Sequence, residues 1–480
     1  MIRKRPMEAS KGVRSCQLFR PECSEGGAMT TASELRTPGF VLVLSGVLFF
    51  FIGVMTWLNG PLVAFARIAF SLDDNDAFLI PSVFYAAHFL GALPLGVLAD
   101  KIGSVRGMSL GLVLMAAGAA CFAVSADFLA FGAALGSLFL LALGVTLLGL
   151  AINPYVALLG GLGTASRRIA IMGLFNKAAG VVAPLMFGAT ALRSLGALSA
   201  SISAAPDSRM RDALRAGFAG QIVAPYVFLA VILLLLAVVV SVAPLPQLSH
   251  PVPLTPAAKG GRIRFGRTFW LGTGCLFLYV GVEAIAGDAI GTYGDRLGLP
   301  PDATKFFSSL TFVAMVAGYC GGMAFIPQVL SQRAYLASVC VLGMGLTVAA
   351  SFSSGMKSVL FMGGLGFCDA MMWPILYPLA IRGLGARTLQ GTAVAVMAVS
   401  GGAVLPKLFI WLASFLSFRV SFLTVVLPSY FLIFAYLILC GRERDDLPVR
   451  KASSAAVRGS QRVGVASRRA FRGRGSRDET

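Results

Sequence analysis

Few side chains that could do chemistry stand inside the long apolar stretches of this chain: Asn59, His88, Asn153, Asn176, Lys177, Glu283, Asp288, Asp369, Gln390 and Lys407. An ionisable or amide group surrounded by hydrocarbon is costly, so such groups face a cavity or a partner. Their chemistry is recognition and charge pairing rather than bond making. The only histidines are His88 and His250, and no Gly-rich phosphate loop ends in Lys-Ser or Lys-Thr. The eight cysteines lack paired metal spacing and read as small hydrophobes. No enzyme, metal site, cofactor or ATP-driven cycle is therefore expected of this chain alone.

The amides sit beside helix breakers. Asn59 precedes Gly60-Pro61, Asn153 precedes Pro154, and Asn176 lies near the middle of its apolar run. A proline inside a helix frees a backbone carbonyl, which a neighbouring amide can satisfy or expose to a cavity. A satisfied kink explains any one of them; three in the same half favour a cavity. A second constellation, Gly96-Val97-Leu98-Ala99-Asp100-Lys101-Ile102-Gly103, follows an apolar run that ends near Pro94, with Arg106 close behind. Its glycines permit close approach and a tight turn, while Asp100, Lys101 and Arg106 can lock helix ends at a membrane surface. That is the equipment of a gate.

The elements that position these groups are membrane spans. With 57% hydrophobic residues, 13% charged residues and a mean hydropathy of +0.81, the composition lies outside the range of soluble domains. About 20 apolar residues make one crossing, and the runs near 39–58, 77–99, 107–125, 130–160, 169–190, 221–243, 268–293, 306–327, 334–352, 357–381, 389–414 and 420–440 predict twelve. Residues 244–267 are Pro-rich and then basic and read as a linker between two six-helix bundles, 39–243 and 268–440. Lys and Arg concentrate on the side that holds residues 1–38, Lys101 and Arg106, Arg167 and Arg168, the linker, Arg333, Arg382 and Arg387, and the tail. The opposite side carries Arg67 beside Asp73, Asp74 and Asp76, then Asp127, Arg193 to Arg215, Asp295 to Lys305, Lys357 and Arg419. Short basic loops stay in the cytoplasm, so both termini are expected there. The basic segments 1–38 and 441–480 have little to bury and read as disordered, the tail lying near anionic lipid rather than on nucleic acid. No signal peptide is evident, and Met29 is an alternative start.

Beyond composition, the residues carry a specific resemblance over roughly 40–440. The 96–103 loop resembles the signature between spans two and three of the major facilitator superfamily. Ala151-Ile152-Asn153-Pro154-Tyr155-Val156 is similar to span four of the fucose/proton symporter family, which includes glucose/galactose transporters. Phe175-Asn176 with Ala183-Pro184-Leu185, Tyr279-Val280-Gly281-Val282-Glu283, Pro374-Ile375-Leu376-Tyr377-Pro378, and Gln390-Gly391 with Met397-Ala398-Val399-Ser400-Gly401-Gly402 are similar to spans five, seven, ten and eleven. The resemblance implies a monomeric monosaccharide carrier in the bacterial inner membrane, working by alternating access. It implies Asn153, Asn176, Gln390, Tyr155, Trp373, Tyr377 and Asn59 as substrate contacts.

Two departures bear on energy coupling. Where the resemblance implies carboxylates after the span-one Asn and four residues before the span-four Asn, this chain has Gly60 and Gly149. The family's proton mechanism therefore does not transfer, and facilitated or weakly proton-dependent sugar movement is expected; any surviving coupling would use Glu283, Asp288 or Asp369. Lys177 paired with Asp369 or Asp288 across the bundles would form a gate; a relay and plain packing are the competing readings of these charges. Lys407 is expected to reach toward the outer surface and His88 to be a satisfied core residue. A carrier of another small polar or acidic solute, or a sensor that no longer transports, stands as the alternative.

Overall fold

The computed structural model describes residues 39–159, 165–193, 195–245, 265–326, 329–381, 384 and 388–440, and all regular structure among them is helical. Segment 1–38, the linker over 246–264 and the tail 441–480, with the expectations placed on them, lie outside the described residues.

Among the described residues, eleven helices are long and apolar enough to cross a membrane: Gly39–Ala69, Asp74–Ile102, Ser104–Asp127, Phe131–Asn153, Arg168–Thr190, Ser208–Val242, Arg267–Asp288, Pro301–Phe325, Gln332–Phe352, Ala393–Leu412 and Phe418–Leu439. A bent pair, Gly355–Asp369 and Met372–Ile381, inclined at 43°, makes the tenth of twelve in chain order. Spans six and seven end and begin at the linker, which defines a linker end of the bundle and an opposite, distal end.

Three departures from the predicted runs have local causes. The first span does not stop near residue 58: its helix breaks at Leu58 and resumes as Asn59–Ala69, with Pro61 in the first turn, where no amide hydrogen is required. The mixed-charge stretch 193–215 forms two helices, Leu195–Ala204 and Ser208–Gly220, the second capped by Asp207, whose carboxylate accepts from the Met210 amide. The tenth span breaks after Asp369, just before Trp373-Pro374.

Close packing rests on small residues. Lipid tails are as apolar as leucine, so helices associate through intimate contact rather than through the hydrophobic effect. Spans three and four meet along Gly111, Gly118 and Gly144. A Cβ at Gly118 would lie 2.5 Å from the Leu141 backbone nitrogen, and one at Gly144 would lie 2.5 Å from that of Met115. Span one approaches span five in the same way, with Gly53 against the Asn176 backbone. Gly118→Leu should therefore destabilise the bundle by about 1–3 kcal/mol through overpacking, read as a lower thermal midpoint in detergent; an unchanged midpoint would show that these two helices are not in contact.

Candidate functional site

Among the described residues, a buried ion pair joins the two sequence halves within the spans. Lys177 Nζ on span five donates to Glu283 Oε1 on span seven at 2.6 Å, with side chains 8% and 7% exposed. The ammonium also stands 4.0 Å from the centroid of the Trp57 ring. Trp57 is held in turn by its indole N–H, which donates to Asn176 Oδ1 at 3.0 Å. The expected partners of Lys177 were Asp369 or Asp288; the structure pairs it with Glu283 instead. Asp369 accepts from the Tyr430 hydroxyl at 2.7 Å, a bond within the second half. Asp288, five residues beyond Glu283, is turned about 140° around the helix.

Asp288 lies where the halves touch. It is 1% exposed; Oδ2 stands 3.4 Å from the Tyr85 hydroxyl on span two, and Oδ1 has no hydrogen-bond partner. Gly60 makes this approach possible, since a Cβ there would lie 3.1 Å from Asp288 Cα and 2.8 Å from Ser308 Oγ. The neighbouring Asn59 is fully buried with neither amide atom bonded. His88 Nδ1 is 3.1 Å from the Phe84 carbonyl, the satisfied state expected of it.

The amides and aromatics expected to meet a substrate differ in availability. Asn153 is exposed, and its Nδ2 donates to Gly149 O at 2.8 Å, one residue before the carbonyl that Pro154 leaves free. Asn176 is occupied: besides Trp57 it donates to the Phe49 carbonyl at 3.3 Å, fastening span five to span one. Trp373 and Tyr377 stack with centroids 5.4 Å apart and planes 11° from parallel, and Tyr279 adds a ring 6.5 Å from Trp373. Tyr155 is buried with its hydroxyl unbonded. Gln390 lies on the helix Thr388–Met397, and its side chain is outside the described residues.

Charge joins the halves at the distal end. Arg67 Nε is 3.0 Å from Asp74 Oδ1, and its Nη1 donates to Asp295 Oδ2 at 3.1 Å. Arg296 Nε donates to Asp74 Oδ2 at 2.9 Å, so two residues of the first half interlock with two of the second. Lys407 reaches this end and donates to the Asn75 carbonyl, Lys305 Nζ to the Leu192 carbonyl at 3.0 Å, and Ser309 Oγ to the Val181 carbonyl at 2.9 Å. Burial pushes the Asp295 carboxyl above its ordinary value, against the opposing hydrogen bonds from Thr304 and Arg67. Sequence reasoning treated Arg67, Asp74, Asp295 and Arg296 as loop charges. Their opposed signs at equivalent places, after spans one and seven, were the available signal.

Of the linker-end constellation, Asp100 is partly buried, whereas Lys101 and Arg106 are exposed and form no ion pair among the described residues. Gly103 adopts φ +84°, the left-handed turn for which glycine is suited.

With this geometry in hand, relatives can be compared. No family model matches the chain. It is 31% identical over 420 residues to the glucose/galactose transporter of Brucella abortus biovar 1 (strain 9-941), covering 85% of this chain and 96% of that one. The chain belongs to the glucose/galactose transporter family. The transporter is also 26% identical over 379 residues to the L-fucose-proton symporter of Escherichia coli (strain K12), covering 76% and 84% of the two chains. Its fold matches the crystal structure of the major facilitator superfamily transporter FucP in the outward conformation, with a TM-score of 0.65 at 23% identity, over 83% of this chain and 98% of that one. The transporter is thus a multi-pass integral membrane protein of the major facilitator fold.

The central pair gives a direct test. Lys177→Met leaves Glu283 buried without its cation, a loss of about 3–5 kcal/mol, whereas Lys177→Met with Glu283→Gln removes both charges. Folded yield and thermal midpoint should fall in the single variant and recover in the double; equal losses in both would mean that the pair carries no mutual energy.

Proposed function

We propose that this chain is a secondary transporter, not an enzyme, that moves a monosaccharide by alternating access: a hexose or deoxyhexose such as glucose, galactose or fucose. The moving parts are the bundles 39–243 and 268–440, joined by the linker 244–267. The linker end faces the cytoplasm with both termini, and the distal end faces outward across the bacterial inner membrane. Basic residues at the linker end, Lys101, Arg106, Arg168, Arg267 and Arg333, support that orientation.

The observation that carries this reading is the distal network between the halves. Arg67–Asp295 and Arg296–Asp74 hold the outer side closed with ion pairs whose arginines are partly exposed, so that water can replace them when the halves part. Deeper in, an exposed Asn153 amide and the parallel rings of Trp373 and Tyr377 are the groups a sugar needs: donors and acceptors for its hydroxyls and flat faces beneath its C–H surface. The alternative, an acidic solute, is weakened because the central ammonium of Lys177 is already neutralised by Glu283. Asn176 acts through its hold on Trp57 and span one rather than as a free amide.

Labelled-hexose counterflow in proteoliposomes tests the substrate class. Asn153→Ala should lower kcat/KM by about tenfold or more, since a hydroxyl left unpaired loses on the order of 1–3 kcal/mol. Binding without exchange would make the protein a sensor, and neither with any hexose would remove the sugar reading. The outer gate is tested separately by Asp74→Asn, which weakens the Arg296 pair that Asp74 makes across the halves in the closed state. The outward-open population should rise about tenfold, corresponding to ~1.4 kcal/mol. Unchanged accessibility from outside would show that the network is not a gate.

A further inference from the structure

One buried carboxylate, Asp288, lies where the two halves meet, so its surroundings change as the carrier works. Glu283 is matched by Lys177; Asp369 also has one unbonded oxygen, Oδ2, but its Oδ1 is tied to Tyr430 within a single half, so an opening of the halves leaves that bond intact. Asp288 differs. Everything that shields it from the first-half side, the Gly60 backbone and the Tyr85 ring, belongs to the opposite half. When the outer ends part, those shields withdraw and the carboxylate meets outer water.

We propose that Asp288 is a proton-binding site loaded from the outside, and that closing the outer gate requires its carboxylate to be protonated. Closure strips water from Asp288 and offers little in return, the 3.4 Å approach of the Tyr85 hydroxyl to Oδ2 and the nearby Gly60 amide, while Oδ1 makes no well-formed hydrogen bond. A buried anion with an unbonded oxygen is costly, whereas a neutral carboxyl loses far less. The proton comes from outer water and binds a carboxylate oxygen; no other bond changes. Protonation therefore favours the outer-closed state, and each closure from neutral or alkaline medium takes up a proton.

The groups around Asp288 support this assignment. From span five comes Lys177, whose charge is engaged by Glu283; from its own helix, Glu283 itself. From span two come Tyr85 and, one turn on, His88, which is bonded to the Phe84 carbonyl. Asn59 and Gly60 of span one and Ser308 of span eight do not titrate. Asp369 of span ten is bonded to Tyr430. No unpaired cation stands by to hold Asp288 ionised among the described residues.

The inference rests on the alternating-access reading, so its test reads the gate without sugar. Spin labels at the exposed positions Asp76 and Pro300, one on each half, report the width of the outer rim in the full-length protein. The closed-to-open ratio should rise on acidification, by up to about tenfold per pH unit for a single linked proton. Asp288→Asn, a permanent neutral mimic, should remain closed across the range with this response abolished. Tyr85→Phe removes the donor that favours the closed-state anion, so the closed population remaining at alkaline pH should fall while the acid limb is kept, whereas loss of packing alone would lower the closed population across the whole range. Asp295→Asn is the necessary control, because its raised carboxyl also favours closure in acid; its variant should keep most of the response. A response that survives in Asp288→Asn, vanishes in Asp295→Asn, or follows sodium rather than pH would overturn the proposal. Loss of hexose counterflow with an intact Asp288-dependent pH response would instead remove the sugar reading and leave this one standing.

Discussion

A carboxylate surrounded by hydrocarbon has three ways to exist: paired with a cation, bonded to donors, or neutral. The second half of this carrier buries three carboxyl groups in different surroundings. Glu283 is paired with Lys177 at 2.6 Å, Asp369 is bonded through Oδ1 to Tyr430 at 2.7 Å, and Asp288 has only a 3.4 Å approach from Tyr85 and the nearby Gly60 amide, both from the other half; Asp369 and Asp288 each keep one unbonded oxygen. These solutions decide what can move. The Asp369 bond lies within one half and travels with it. The Lys177–Glu283 pair spans the halves at mid-depth, where a rocking motion displaces facing residues least. Asp288 spans them toward the distal end, where the displacement is large.

The same constraint explains why the two ends of the interface are built differently. An ion pair sheltered from water gains strength from its surroundings but leaves an uncompensated charge when broken. One at a wet surface is worth little and is replaced by water when it opens. The distal network is closer to the second kind: Arg67 and Arg296 keep side-chain exposures of 31% and 56% around the buried Asp74 carboxylate. Such contacts suit a joint that must open in every cycle. The glycines do the complementary work of bringing backbones close enough that few polar atoms are needed to hold each half together.

Much of this was legible in the sequence, and the parts that were not share a cause. The span pattern, the Asn153-Pro154 segment and the 96–103 turn follow from local composition, periodicity and proline or glycine chemistry. Hydropathy placed the end of the first span near residue 58 because Asn59-Gly60-Pro61 interrupts the apolar run; the helix continues because its first turn tolerates proline. Partnerships across the halves escaped. Lys177 and Glu283 are separated by 106 positions, and helix geometry alone shows only that Asp288 points elsewhere than Glu283. Asn176 looked like a free cavity amide; the structure engages it with Trp57 and Phe49. Sequence gives the type of a polar group but not which of its valences are already filled.

Gly60 shows how far that limitation reaches. Read along one helix, a glycine where the resemblance implies a carboxylate is a lost charge, and lost coupling follows. Read in space, the missing side chain is what admits Asp288, because even a Cβ at position 60 would crowd its Cα at 3.1 Å. A carboxylate projecting from span one and one in this position on span seven would compete for the same volume when the outer side closes. In this chain the carboxylate at this place is supplied by span seven. Electrostatic cost depends on where a charge is buried and what shields it, not on which segment carries it.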